Sequence, residues 1–235
     1  MRGTVPLLGF AEPLSSWLHI AGAVLALLAI QRLVARGESA GDRRALATFG
    51  LGAALALGLS GAYHALDPDG AARAVLQRLD HAGIWILIAA TFTPVHWILF
   101  RGIQRWGVLA FIWTAAICGV VLKTIFFAGF PESLGLVLYL ALGWVGAASA
   151  VMVVRAHGPA TVRPMLIGGV LYSAGGAVSV LEPPALLAGY LGHHEVFHLA
   201  VLAALYAHWQ LMAALPAGLP RPAAEPLASP APLQA

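Results

Sequence analysis

The chain has 235 residues, of which 60% are hydrophobic and only 10% are charged, and its mean hydropathy is +0.84. Soluble domains carry about 25% charged residues, so this composition excludes a soluble globular protein and indicates a membrane protein. The net charge of +3 is too small to indicate nucleic-acid binding, and the single cysteine, Cys118, excludes an intramolecular disulfide.

Seven apolar stretches follow one another along the chain, each about as long as a helix that crosses the hydrocarbon core of a bilayer. Backbone groups in lipid must be hydrogen-bonded within their own segment, so these stretches are predicted to be helices. We therefore expect an all-α, polytopic membrane protein built as a seven-helix bundle. The predicted spans are residues 14–34, 45–66, 79–99, 106–127, 134–154, 165–181 and 195–215.

The last part of the chain differs in composition from the rest. Residues 216–235 are rich in proline and alanine and lack hydrophobic periodicity, which is typical of a disordered tail. We therefore predict one transmembrane domain, residues 1–215, followed by this tail.

Basic residues are unevenly distributed between the two sides of the predicted bundle. Arginine and lysine in short loops favour the cytoplasm, so their distribution predicts an outer N-terminus and a cytoplasmic C-terminus in a bacterial inner membrane. Those after the first, third and fifth spans are Arg32, Arg36, Arg43, Arg44, Arg101, Arg105, Arg155 and Arg163, against Arg73, Arg78 and Lys123 on the other side.

Ionisable side chains are costly in transmembrane segments, so those present here indicate function. Ser60 and His64 lie four residues apart near the end of the second predicted span, and His194 and His198 have the same spacing at the start of the seventh. Each pair therefore lies on one helix face. Asp80 begins the third span. In a chain of seven spans these positions all lie on the same side of the membrane, and we expect the side chains to meet.

Three imidazoles plus an oxygen donor match the ligand set of a catalytic zinc site, in which three protein ligands leave one position for water. We therefore predict that Zn²⁺ is bound by His64, His194 and His198 together with Asp80. In such a site Asp80 would move the proton, and Ser60 would donate a hydrogen bond to the developing oxyanion. Burial of the metal within a helix bundle favours a substrate that enters sideways from the bilayer, such as a membrane lipid.

Other functions remain open at this point. The segment from His194 to His198 reads H-E-x-x-H, the metalloprotease motif in which the glutamate, here Glu195, activates water. No further acidic ligand follows it before the tail, which argues against a protease. A pore-forming cytolysin would carry polar residues along its full depth, whereas these gather at one end. A receptor would use zinc as a structural ion in a closed coordination sphere.

Two other histidines are predicted to have structural roles. His19, in the first span, is expected to pack and form a hydrogen bond. His208 follows His198 by ten residues, which places it off the ligand face of a helix with 3.6 residues per turn.

The chain contains several spaced motifs whose order resembles that of the hemolysin III family. This family is the bacterial branch of a superfamily that contains the adiponectin and progestin receptors and, more distantly, the alkaline ceramidases. The resemblance runs from about Glu12 to about Leu215. The segments that carry it are Ser60-Gly61-Ala62-Tyr63-His64, Leu79-Asp80-His81-Ala82-Gly83-Ile84, Ala90-Thr91-Phe92-Thr93-Pro94, Tyr139 to Trp144, Gly168-Gly169-Val170-Leu171-Tyr172 and His194-Glu195-Val196-Phe197-His198.

This resemblance implies a seven-helix fold in which histidines equivalent to His64, His194 and His198 hold zinc, Asp80 reaches the metal through water, and Ser60 lies beside it. Together with the zinc chemistry, it implies hydrolysis of a lipid amide or ester and a role in membrane lipid homeostasis. The receptors have glutamine where this chain has Glu195, which argues that Glu195 is not an indispensable base. They are also described with a cytoplasmic N-terminus, the reverse of the orientation that the arginines predict here.

Overall fold

The protein is described by a computed structural model that covers residues 5–129 and 131–215. Within these residues the chain forms seven long apolar helices and no β-strand, which confirms the predicted all-α bundle. The helices are α1 (Pro13–Val34), α2 (Ala40–Ala65), α3 (Ala71–Leu99), α4 (Gly102–Ile125), α5 (Glu132–His157), α6 (Pro159–Leu181) and α7 (His193–Ala214). The tail predicted for residues 216–235 lies outside the described part of the chain.

Several helices begin before the apolar spans predicted from hydropathy. Helix α2 begins at Ala40 because Ser39 and Asp42 form a capping box, in which each side chain accepts a hydrogen bond from the other residue's backbone N–H. Helix α3 begins at Ala71, so Asp80 lies inside the helix and not at its start. A hydropathy window detects the stretch that fits in lipid, whereas caps and helical propensity extend the helix into the polar flank.

Helices α1, α2 and α3 pack side by side, and small residues allow close approach. A Cβ added to Gly61 of α2 would lie 2.6 Å from Cγ1 of Ile20 in α1. Backbone bonds add to this contact where α1 begins, since the amide of Glu12 donates to the carbonyl of His64 at 3.0 Å. The start of α1 is therefore fixed against the end of α2.

The opposite end of the bundle contains a large apolar cluster, beside which His96 and Ser149 form a buried hydrogen bond. This cluster includes Leu46 and Phe49 of α2 and Met212 of α7, all fully buried. The polar side chains singled out in the sequence lie at the other end, where α2 finishes and α7 begins. Packing of apolar side chains thus occupies one half of the bundle and leaves the other half for the site.

Candidate metal centre

Three imidazoles converge where α2 ends and α7 begins. His64 is near the C-terminal end of α2, and His194 and His198 face it from the first turns of α7, one turn apart. One ring nitrogen from each of the three lies within 4.8 Å of the others. The predicted pairing of these helix ends is therefore confirmed, and the group forms a possible metal site.

The distances between these nitrogens suit a tetrahedral metal ion. Nε2 of His194 lies 3.4 Å from Nε2 of His64 and 3.0 Å from Nε2 of His198. Nitrogen ligands about 2.0–2.1 Å from a tetrahedral zinc ion are separated by about 3.3 Å. His64 and His198 are 1% and 2% exposed, so the site is shielded from solvent on two sides.

The outward nitrogens of two of these rings have partners of their own. Nδ1 of His64 donates to the carboxylate of Glu12, and Nδ1 of His198 lies 2.9 Å from Nε2 of His19. With its proton on Nδ1, the His64 ring presents the lone pair of Nε2 to the cluster. Converging lone pairs repel one another unless a cation or a proton lies between them, so this donor set fits a metal ion.

Glu12 is the centre of a buried charged network that the sequence did not reveal. Its carboxylate contacts both His64 and the Nη2 of Arg73. Burial alone would raise the pKa of Glu12, but the hydrogen bond from His64, the charge of that imidazole in the metal-free, protonated form and the charge of Arg73 lower the pKa to about 2. Arg73 also donates to the carbonyl oxygen of Leu66 at 2.6 Å, so it links the start of α3 to the end of α2.

Glu195 of the H-E-x-x-H segment has a capping role. Its Oε2 accepts a hydrogen bond from the amide of Gly192 at 2.9 Å, and its Oε1 accepts one from the Oγ of Ser15 at 3.1 Å. Both carboxylate oxygens thus hold the first turn of α7 in place, as expected of an acid at a helix N-terminus. These contacts favour a structural role for Glu195 over that of a protease base.

Of the two predicted catalytic residues, Ser60 shares α2 with His64, and Asp80 lies on the neighbouring helix α3. Ser60 is buried on α2 one turn before His64. Asp80 lies on α3, mostly buried, with Oδ2 3.8 Å from Nδ1 of His81. Asp80 is outside the group of three ligand atoms that lie within 4.8 Å of one another. Direct or water-mediated ligation by Asp80, and catalysis by either residue, therefore stay predictions.

The two histidines for which the sequence predicts structural roles, His19 and His208, have contacts of that kind. His19 is buried behind His198 and forms the hydrogen bond described above, on the side of that ring away from the cluster. His208 lies much farther along α7, where its Nε2 is 3.3 Å from the carbonyl oxygen of Met165 in α6.

An apolar cavity of about 180 Å³ lies between α3, α5, α6 and α7. Phe197 forms part of its wall, and the Phe197 ring is 5.5 Å from the ring of His198. Phe197 thus brings one wall of the cavity close to His198, although none of the three clustered histidines lines the cavity itself. Trp144 of α5 and Leu166 of α6 also line it and are exposed on the outside of the bundle, so the cavity reaches the face of the protein that lipid would cover.

Comparison with known proteins gives a consistent family match. A family described as "Haemolysin-III related" matches residues 10–209 of this chain. The chain is 30% identical to "Hemolysin-3" of Bacillus cereus over 190 residues, which cover 78% of this chain and 82% of that protein. It is 29% identical to the "Hemolysin-3 homolog" of Bacillus subtilis (strain 168) over 128 residues, or 54% of this chain and 57% of that protein.

Proposed function

This chain belongs to the haemolysin-III-related family, and we propose that it is a multi-pass membrane protein that uses zinc to hydrolyse amide or ester bonds of membrane lipids. The observation that carries this proposal is the convergence of His64, His194 and His198 in a bundle that also contains an apolar cavity reaching the lipid-facing surface. A polar reaction site with an apolar approach suits a substrate with a polar linkage and long hydrocarbon chains.

Zinc is the metal that this donor set favours. Imidazole nitrogens suit zinc, and three protein ligands leave a fourth position for water. When bound, zinc would lower the pKa of water toward about 7 and polarise a carbonyl group. Magnesium and calcium prefer oxygen ligands, so a site made of three histidines disfavours them.

The proposed roles of Asp80 and Ser60 follow from their chemistry and their position in the bundle. Asp80 would complete the metal environment through water, accept a proton from the attacking water, and return it to the leaving amine or alcohol. Ser60 would donate a hydrogen bond from its hydroxyl to the oxygen of the substrate carbonyl as charge develops there.

The cavity supports a lipid substrate that enters from the membrane. Its walls are made largely of leucine, isoleucine, valine, glycine and aromatic residues, and one of them, Phe197, has its ring 5.5 Å from the ring of His198. A hydrocarbon chain placed there would bring the adjoining amide or ester toward the histidines. This arrangement supports a role in membrane lipid homeostasis and a location in the bacterial inner membrane.

A cytolytic activity is the second candidate, because the similar Bacillus cereus protein carries the name "Hemolysin-3". A conducting path needs polar groups or water along its length. The charged and histidine side chains of the candidate centre gather at one end, and the cavity beyond them is apolar. These features support hydrolysis over conduction. A receptor with structural zinc would have the same three ligands but no turnover.

Hydrolysis of a lipid panel tests the proposal. Purified protein in nanodiscs is incubated with ceramide-like amides and phospholipid esters, and the released fatty acids are measured by mass spectrometry. We expect turnover by the zinc-loaded wild type and none by His194→Ala. The His96→Ala variant, which changes a buried histidine that lies outside the cluster and does not line the cavity, should retain activity. A wild-type protein that holds zinc and hydrolyses none of these lipids would contradict the proposal and favour the receptor. Leakage of a trapped dye from lipid vesicles that contain the protein would favour the cytolysin.

A further inference from the structure

One face of the first helix supports the candidate metal centre from behind. Glu12, Ser15 and His19 recur at three- and four-residue intervals, which places them on the same side of α1. All three are buried. Their partners are, in the same order, His64, Glu195 and His198.

Two of these contacts control how a candidate ligand presents its nitrogen. In both His64 and His198, Nε2 faces the cluster and Nδ1 faces away from it. Nδ1 of His64 bonds to Glu12, and Nδ1 of His198 bonds to His19. A partner at Nδ1 fixes the ring orientation and the tautomer. A carboxylate partner also makes the opposite nitrogen a stronger base, and therefore a better metal ligand.

The charge of Glu12 has a second effect, because Arg73 lies against it. The guanidinium of Arg73 is buried and held by carbonyl oxygens at the end of α2. Glu12 offsets this positive charge beside His64. Without Glu12, the site would contain an uncompensated cation, and a divalent metal ion would be repelled in a region of low dielectric constant.

We propose, on the premise that the three histidines hold zinc as argued above, that Glu12 and His19 are positioning residues of the metal centre. Glu12 orients His64 and neutralises Arg73, and His19 orients His198. Neither is a metal ligand, since each lies on the far side of its partner's ring. Metal binding by the centre thus requires α1 to be packed in place.

The metal affinity of the Glu12→Gln variant tests whether the negative charge of Glu12 is needed for metal binding. Glutamine has nearly the same shape and can still accept a hydrogen bond, but it lacks the charge. Full-length protein in detergent is titrated with Zn²⁺ or Co²⁺ against a chromophoric chelator, and we expect affinity to fall by about 10- to 100-fold. The control is Asp69→Asn, which removes an exposed carboxylate from the loop at the same end of the bundle and should bind metal like the wild type.

A second substitution separates charge from packing. If the uncompensated guanidinium weakens binding, Glu12→Gln with Arg73→Gln should bind metal more tightly than Glu12→Gln alone. If Glu12 acts only in packing, the second change should weaken binding further. Equal affinity of Glu12→Gln and the wild type, or no recovery in the double variant, would overturn the role of Glu12.

Variants of His19 test the proposal without changing Glu12, and they can therefore be used even if the Glu12 variants fail to fold. His19→Gln keeps a side chain that can bond to Nδ1 of His198, whereas His19→Phe keeps the size and loses the bond. We expect the visible spectrum of bound Co²⁺ and its dissociation rate to change in His19→Phe and to be largely restored in His19→Gln. Identical spectra and rates in all three proteins would overturn the role of His19.

A wild-type protein that binds no metal would overturn the proposed function together with this inference, whereas tight metal binding without hydrolysis would leave the inference standing.

Discussion

The carboxylate of Glu12 and the imidazole of His64 form a buried hydrogen bond between residues that are far apart in sequence. The same two residues are also joined by the backbone, since the amide of Glu12 donates to the carbonyl of His64 at 3.0 Å. The position just before α1 is thus tied twice to the end of α2. Any rotation of the His64 ring must break a contact with a charged partner, so this ring is fixed before a metal ion binds.

Metal content distinguishes the three clustered histidines from the other buried histidines. We expect about one zinc ion per chain in the wild type and loss of that zinc in His64→Ala and His198→Ala, because each removes one of three ligands. The His208→Ala variant should keep its zinc, since this ring contacts Met165 and lies outside the cluster. Inductively coupled plasma mass spectrometry of purified proteins provides the measurement. Stoichiometric zinc in both ligand variants would refute the site.

The ligand positions could be predicted because they depend on local features of the chain. His194 and His198 are one helical turn apart, and counting the spans places them on the same side as His64. The supporting residues could not be predicted in this way. Contacts of His19 with His198 and of Arg73 with Glu12 depend on which helices are neighbours and how each is rotated, and the order of hydrophobic spans does not determine either.

The limits of hydropathy also explain why the sequence predicts Asp80 at the start of a helix. The apolar window begins at residue 79, but α3 begins at Ala71 and carries Arg73 and Arg78 in its first turns. Amphipathic side chains of this kind extend a helix beyond the hydrocarbon region with their charged ends in polar surroundings. One of them, Arg73, instead turns inward and joins the network of Glu12.

Thermal stability of the metal-free protein should depend on pH through Glu12. Its pKa is lowered to about 2 in the folded protein, so the charged form stabilises the fold above the unfolded value of about 4.5, and this contribution is lost as pH falls toward 2. Glu12→Gln lacks this contribution. The Tm difference between wild type and variant, measured with a chelator present, should be largest above pH 5 and should narrow as the pH is lowered. A difference that does not change with pH would contradict an ionised Glu12.

The contact between α6 and α7 offers a test of packing in the apolar part of the bundle. A Cβ added to Gly168 would lie 2.3 Å from Nε2 of His208, whereas one added to Gly169 would meet nothing within 4 Å. We expect Gly168→Ala to lower stability by about 1–3 kcal/mol, as overpacking does, and Gly169→Ala to have little effect. Thermal unfolding in detergent provides the measurement. His208→Ala should restore part of the loss in the Gly168→Ala protein, and failure to do so would argue that the clash lies elsewhere.

Membrane orientation is tested with a reporter fused after Ala235. The excess of arginines on one side of the bundle predicts a cytoplasmic C-terminus, so a reporter that is active only in the cytoplasm should be active, and one that needs the periplasm should not. The opposite pair of results would reverse the orientation and place the imidazole cluster at the inner face of the membrane. Fusions shortened to Leu215 should give the same pattern, since the helices set the orientation.

The Asp80→Asn variant distinguishes a catalytic zinc site from a structural one. Asp80→Asn keeps a similar shape and can still form hydrogen bonds, but an amide cannot accept a proton at neutral pH. We expect zinc to stay bound and lipid hydrolysis to fall by about 10²- to 10⁴-fold, the range typical of a lost acid or base. The matched control is Asp67→Asn, since Asp67 is an exposed carboxylate of the loop at the same end of the bundle, and it should retain full activity.

Zinc content and hydrolysis are measured on the same preparations, so a loss of metal can be told from a loss of proton transfer. Undiminished turnover in Asp80→Asn would remove Asp80 from the mechanism, and a parallel loss of zinc and turnover would assign Asp80 to metal binding instead.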